Sequence, residues 1–187
     1  MRSTYEKIIK KQNQINYTDA MVNINSRNIK TSILNRDRVA LYDLARERWK
    51  ALRDGGLHFS IMQFHLPDGT TLLRMHDPEK YGDNVTTFRP MIAHVSKYHK
   101  AIHGFESGRH NLAYRSVTPI FDNKKYIGAL ELGTRPDIIF DEMEYYSGLK
   151  GALFVKNEAI NLYKKGTFKI SDYTLQYDAT DNFPLFQ

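Results

Sequence analysis

Between Met1 and Asp54 the chain contains neither glycine nor proline, and it then places Gly55-Gly56. Helix interiors exclude both residues, and glycine favours the position just past a helix end, so the segment 1–56 reads as helix. The apolar pattern agrees. Ile8, Ile15, Val22 and Ile29 recur every seven residues, and Leu34, Leu41, Leu44, Trp49 and Leu52 continue a stripe of roughly helical period. One helix over most of this stretch would be on the order of 70 Å long. That exceeds the diameter of the globular remainder, so part of it is expected to project or to pack against a partner. Gln12, Asp19 and Ser26 make the companion positions polar, which describes a weak helical dimer seam and not a full coiled coil.

After Gly56 the period changes from helical to alternating. Leu57, Phe59 and Ile61 alternate with His58, Ser60 and Met62 as in a strand. Pro67-Asp68-Gly69 is a turn, and 71–76 is the returning strand. An irregular stretch over 77–87 follows, then a short helix over 88–97 with Thr87 as its candidate cap and Pro90 in its first turn. Strand-like runs over 101–107, 112–121 and 126–132 are joined by Gly108-Arg109-His110-Asn111 and Asp122-Asn123-Lys124-Lys125. The expected fold class is therefore α+β: a long N-terminal helix (1–56), a five-stranded antiparallel PAS-like sheet with helices on one face (57–134), and a small C-terminal α/β extension (135–187). In the extension a helix starts at Arg135-Pro136 and ends near Gly148, and 152–157 and 173–177 look like strands.

Composition removes several function classes. The chain has no cysteine, which excludes disulfides, thiolate-bound zinc and a thiol nucleophile. The net charge is +6, but the basic residues are dispersed among acidic neighbours, as in Arg36-Asp37-Arg38 and Arg46-Glu47-Arg48, so no nucleic-acid partner is expected. No apolar run reaches the roughly 20 residues needed to span a bilayer, and the first residues do not form a signal peptide. There is no nucleophile elbow, phosphate loop or Rossmann glycine pattern, and Asp141, Glu142 and Glu144 form only an acidic cluster on a helix. His94 and His99 are spaced five apart, unsuited to sharing a ligand face on a helix. No enzyme activity, cofactor or metal is expected.

Two ordered sets of residues carry a resemblance. The first is Leu72-Leu73-Arg74-Met75-His76, then Pro78 to Asp83, then Phe88-Arg89-Pro90. The second is Gly104-Phe105-Glu106 with Gly108-Arg109, Arg115, Pro119-Ile120-Phe121, Tyr126-Ile127-Gly128 and Glu131-Leu132-Gly133. Together, over 57–134, they resemble the double sensory domain of two-component sensor kinases, a branch of the Cache superfamily. The resemblance implies an extracytoplasmic (periplasmic) location between two transmembrane helices of an inner-membrane receptor. It also implies a chemotaxis, histidine kinase or diguanylate cyclase output, and a ligand held beneath the sheet of a membrane-distal module. A second, membrane-proximal module is expected to be fuller than 148–187 allows. The alternative expectation is a ligand-blind dimerisation or protein-interaction domain of such a receptor.

Strand alternation sorts the polar residues without the family. Arg74 and His76 share a face with Leu72; Glu106 with Ile102 and Gly104; Arg115 with Ala113 and Val117; Glu131 with Ile127 and Ala129. Charges in line with small or apolar residues are seldom buried unless paired or liganded. The expected site is a polar pocket in which Arg74 or Arg115 holds a carboxylate, Arg89 adds a second cation, and His76, His103, Tyr81 and Glu106 fix orientation. Glu131 completes the set. The expected partner is a small, anionic molecule such as a short organic acid, with a homodimer through the N-terminal helix. The competing expectation is cross-strand ion pairing alone, Arg74 with Glu106 or Arg115 with Glu131.

Overall fold

The computed structural model describes residues 2–55, 59–108, 112–156, 169–170 and 173–178. Leu57, His58 and the Arg109-His110-Asn111 connection lie outside them. The N-terminal segment is helical for most of its length, in three pieces: α1 (Arg2–Ile24), α2 (Arg27–Leu34) and α3 (Arg38–Asp54). The long N-terminal helix is α1, roughly 35 Å in length, and not the roughly 70 Å rod that the missing glycines and prolines suggest. Capping residues cause the difference. Ser26 leaves the helical region and its hydroxyl accepts from the Ile29 amide. Arg36 turns the chain at φ +54°, and the Asp37 carboxylate accepts from the Ala40 amide at 3.0 Å. Short polar side chains compete for backbone groups as effectively as glycine breaks a helix.

Five strands follow: β1 (Phe59–His65), β2 (Thr71–Arg74), β3 (Ile102–Ser107), β4 (Leu112–Asp122) and β5 (Lys125–Thr134). Their order across the sheet is β2-β1-β5-β4-β3, with every neighbouring pair antiparallel. The sheet is buried on both faces, so both are covered. On one face Met62, Phe64, Leu73, Leu130 and Leu132 meet Ile24, Ile33, Leu41 and Trp49 of α1–α3. On the other, Val117 and Ala129 meet Met91, Ile92 and Val95 of α4 (Pro90–Tyr98). Helices therefore cover two faces, where one was expected. The seven-residue set divides as well. Ile8 and Ile29 are buried within the molecule, whereas Val22 is exposed.

Past the sheet, α5 (Pro136–Ser147) ends at Gly148 in the left-handed region. A second sheet, β6-β8-β7, comprises β6 (Ala152–Lys156), β7 (Lys169–Ile170) and β8 (Tyr173–Asp178).

Three irregularities in the five-stranded sheet set which side chains face which way. A bulge between Phe59 and Ile61 sends Phe59 to the α1–α3 side and Ile61 to the other. A second, between Phe64 and His65 against β2, puts Leu72 beside Leu73 on the α1–α3 side, so Leu72 does not share a face with Arg74 and His76 as alternation suggested. A third, opposite Ile120/Phe121, moves Ile127 to the α1–α3 side, away from Glu131 and Ala129. Beside it Gly128 sits at φ +146°, where an added Cβ would lie 2.2 Å from the His65 carbonyl oxygen. Gly128→Ala is therefore expected to cost more than about 3 kcal/mol in urea unfolding. A loss under about 1 kcal/mol would mean that β5 does not approach β1 this closely.

Candidate functional site

The face carrying α4 is only partly filled by that helix. Beside it the chain from Asp77 to Phe88 arches over the sheet and leaves a cavity of about 540 Å³. Ile61 and Gln63 of β1, Arg74 and His76 at the end of β2, Arg115 of β4, and Arg89 before α4 line it from below. Asp77, Glu79, Lys80, Tyr81, Asp83, Val85 and Phe88 line it from the loop.

The floor is a buried charge network. Arg89 donates from Nε to Glu106 Oε2 at 2.6 Å and from Nη2 to Glu131 Oε1 at 2.6 Å. Arg115 donates from Nη1 to the same Glu131 oxygen at 2.5 Å and from Nε to the Glu106 carbonyl at 3.0 Å. His65 Nε2 lies 3.1 Å from Glu131 Oε2. The remaining Glu106 oxygen accepts from the Met91 amide at 2.7 Å. All five side chains are buried. Short, charge-assisted contacts of this kind hold a guanidinium in one orientation.

Cross-strand register explains the convergence. Arg115 lies opposite Gly104 on β3 and Gly133 on β5. Glu131 lies opposite Gln63 on one side and Val117 on the other.

The network also corrects one expected cap. The residue at the N-cap of α4 is Arg89, with no side-chain cap bond, and Thr87 takes no part. The free amide of Met91 is met by Glu106 from β3 instead, so the anion favoured at a helix N-terminus is internal.

Burial shapes the titration of each member. Burial pushes Glu131 upward, but Arg89 and Arg115 outweigh it and hold the carboxyl well below its usual range. Burial likewise opposes the Arg89 charge, and Glu131 with Glu106 still raises its pKa. For Arg115 burial dominates and lowers the value, although an arginine keeps its charge at any ordinary pH.

The loop wall is tied to β2. Arg74 makes a two-nitrogen contact with Asp83, with oxygens at 2.9 Å, and donates to the Lys80 carbonyl at 2.6 Å. Asp83 is thus a wall-fixing ion-pair partner as well as a turn residue.

Residues 2–181 match the family described as the double sensory domain of two-component sensor kinase. The chain belongs to that family. The family is a sensory domain and not a catalytic one. Solved structures share the fold. A putative sensory box/GGDEF family protein domain from Vibrio parahaemolyticus superposes with TM-score 0.60 at 14% identity, over 83% of this chain and 65% of that one. The extracellular domain of the putative histidine kinase vpHK1S-Z8 gives 0.59 at 15%, over 84% and 63%. The ligand-binding domain of Pseudomonas fluorescens chemoreceptor CtaA, solved in complex with L-serine, gives 0.54 at 14%, over 84% and 65%. The chain thus spans slightly under two thirds of the length of these structures. No curated protein matches the sequence. Among the described residues no helix is long and apolar enough to cross a membrane.

Within this sensory domain, five of the eight expected site residues line the one cavity: Arg74, His76, Tyr81, Arg89 and Arg115. Glu106 and Glu131 stand directly behind, as partners of the two floor arginines. The expected Arg115–Glu131 pair is present. Arg74 pairs with Asp83 and not with Glu106, because β2 and β3 are the two opposite edges of the sheet. His103 is exposed and outside the cavity lining: alternation along β3 turns it away from Gly104 and Glu106. Sequence reasoning missed His65 and Gln63. The signal was their alternation with Ile61 once β1 is extended past Met62.

Proposed function

We propose that this chain is the extracytoplasmic ligand-binding part of a bacterial transmembrane receptor, and that the cavity under the 77–87 loop takes a small molecule bearing an anionic group, such as a short organic acid. One observation carries the reading: three arginines from three separate segments, Arg74, Arg89 and Arg115, border a single cavity of about 540 Å³, a size suited to a small ligand. A guanidinium has five N–H donors. Arg89 spends Nε and Nη2 on the two glutamates and keeps others for a carboxylate. Asp77, Glu79 and Asp83 on the loop side suit the donors on the remainder of such a molecule, so a ligand with both kinds of group fits better than a bare anion. The serine-bound chemoreceptor domain of the same fold, whose ligand carries a carboxylate, agrees with this. In this reading 57–134 is the binding module and 135–187 is a helix plus a small membrane-proximal one. The output such a receptor would drive is a kinase, chemotaxis or cyclic-di-nucleotide one.

Calorimetric titration against short mono- and dicarboxylates, amino acids and neutral and cationic counterparts tests it. The expected result is saturable binding, one molecule per chain, of at least one carboxylate. Binding confined to neutral or cationic compounds would overturn the anionic ligand. No binding across the panel, with concentration-dependent self-association, would favour a ligand-blind interaction domain.

A further inference from the structure

We infer that α3 reads the position of the pocket wall and passes it to α1, gripping the wall through Arg38 and holding α1 through Arg48; the inference rests on the binding role of the cavity. Arg38 is the first residue of α3 and does not line the cavity. Its Nη2 donates to the Pro78 carbonyl at 2.5 Å, and its guanidinium carbon stands 3.1 Å from the centre of the Tyr81 ring. Tyr81 lines the cavity. The wall is therefore held from both sides: from inside by Arg74, which binds the Lys80 carbonyl and Asp83, and from outside by Arg38.

A ligand that draws on Arg74 changes the inner hold, and the outer hold must follow. Eleven residues along α3, roughly 16 Å away, the buried Trp49 ring lies 6.4 Å from the ring of His76, which lines the cavity beside the wall. α3 thus meets the cavity lining at two places, the wall at Tyr81 and the end of β2 at His76. Arg48, half-buried and next to Trp49, makes an ion pair with Asp19 of α1, whose side chain is buried.

Leaving the buried Asp19 carboxylate without its partner costs free energy, so the contact is held in one of two arrangements, made or broken. That discreteness is what a two-state coupling needs. The breaks at Ser26 and at Asn35-Arg36-Asp37 leave α3 joined to α1 through the single short helix α2, so α3 can shift without bending a continuous rod.

Hydrogen exchange of the whole chain without ligand, read peptide by peptide, tests this. Arg38→Ala is expected to speed exchange about tenfold over 77–87 and also in α1 around Asp19, with the centres of β4 and β5 unchanged. The converse is the sharper half: Asp19→Asn is expected to speed exchange over 77–87, although Asp19 does not border the cavity. Acceleration confined to each variant's own element would overturn the relay. Should either variant loosen β4 and β5 equally, Arg38→Lys and Arg48→Lys, which keep the charge and lose the planar contacts, replace them. The same two-way pattern is then required, and a one-sided one overturns the relay. These measurements use no ligand, so their failure would leave the cavity's binding role standing, and a failed binding titration would leave them standing.

Discussion

Glu131→Leu is expected to lower stability by about 3–5 kcal/mol, the cost of removing one partner from a buried ion pair. Glu131 has no solvent to replace what it provides: its side chain is wholly buried, one oxygen serves Arg89 and Arg115 together, and the other faces His65. Leucine fills similar space and leaves two guanidinium groups beside hydrocarbon. Urea unfolding of the variant measures the loss. Glu131→Leu combined with Arg115→Met should lose less than the single change, because one stranded charge goes with its partner. A pH series gives the second reading. The folded carboxyl titrates well below its ordinary value because Arg89 and Arg115 outweigh the effect of burial, whereas an unfolded glutamate titrates near about 4.3. Its stabilisation is therefore fully present above that pH and is lost as pH falls through it toward the folded value. Glu131→Gln should flatten this part of the acid-unfolding profile. An unchanged slope would mean that the carboxylate is not held by the arginines.

Arg115→Met carries the second large effect, on binding. The thioether keeps much of the packing, and Glu131 retains Arg89 and His65, so the domain is expected to stay folded. A carboxylate that binds the wild type should lose about 100-fold in affinity, corresponding to one charge-assisted, two-bond contact of about 3 kcal/mol. Arg115→Lys should recover only part of it, since an ammonium cannot make two parallel bonds. Full affinity in Arg115→Met, by calorimetry on folded protein, would take Arg115 out of the carboxylate contact.

The strands were legible because their alternation and turn residues are local. Asp122-Asn123-Lys124-Lys125 reads as a hairpin, and Asn123 and Lys124 take positive φ there. Most of the site was legible for the same reason: a charge flanked by small and apolar residues on a strand face must find a partner, and Arg115 and Glu131 find each other. What was hidden depended on distant segments. The breaks in the N-terminal helix come from Ser26 and Asp37, whose capping preference a scan for glycine and proline passes over. Glu106 caps α4 from another element, so the Thr87 expectation fails for a reason no local pattern contains. The bulges at Ser60, Leu72 and Ile127 invert alternation within a strand, which misplaced Phe59, Leu72 and Ile127. Arg38 shows no local sign of a role, since its partners Pro78 and Tyr81 lie forty residues on.

The most direct measurement is a crystal structure of the chain with the tightest carboxylate from the binding panel. The carboxylate should lie between the sheet and the 77–87 loop, within hydrogen-bond reach of Arg89, Arg115 or Arg74. The cavity occupied by the protein's own side chains, with the compound bound elsewhere, would contradict the account.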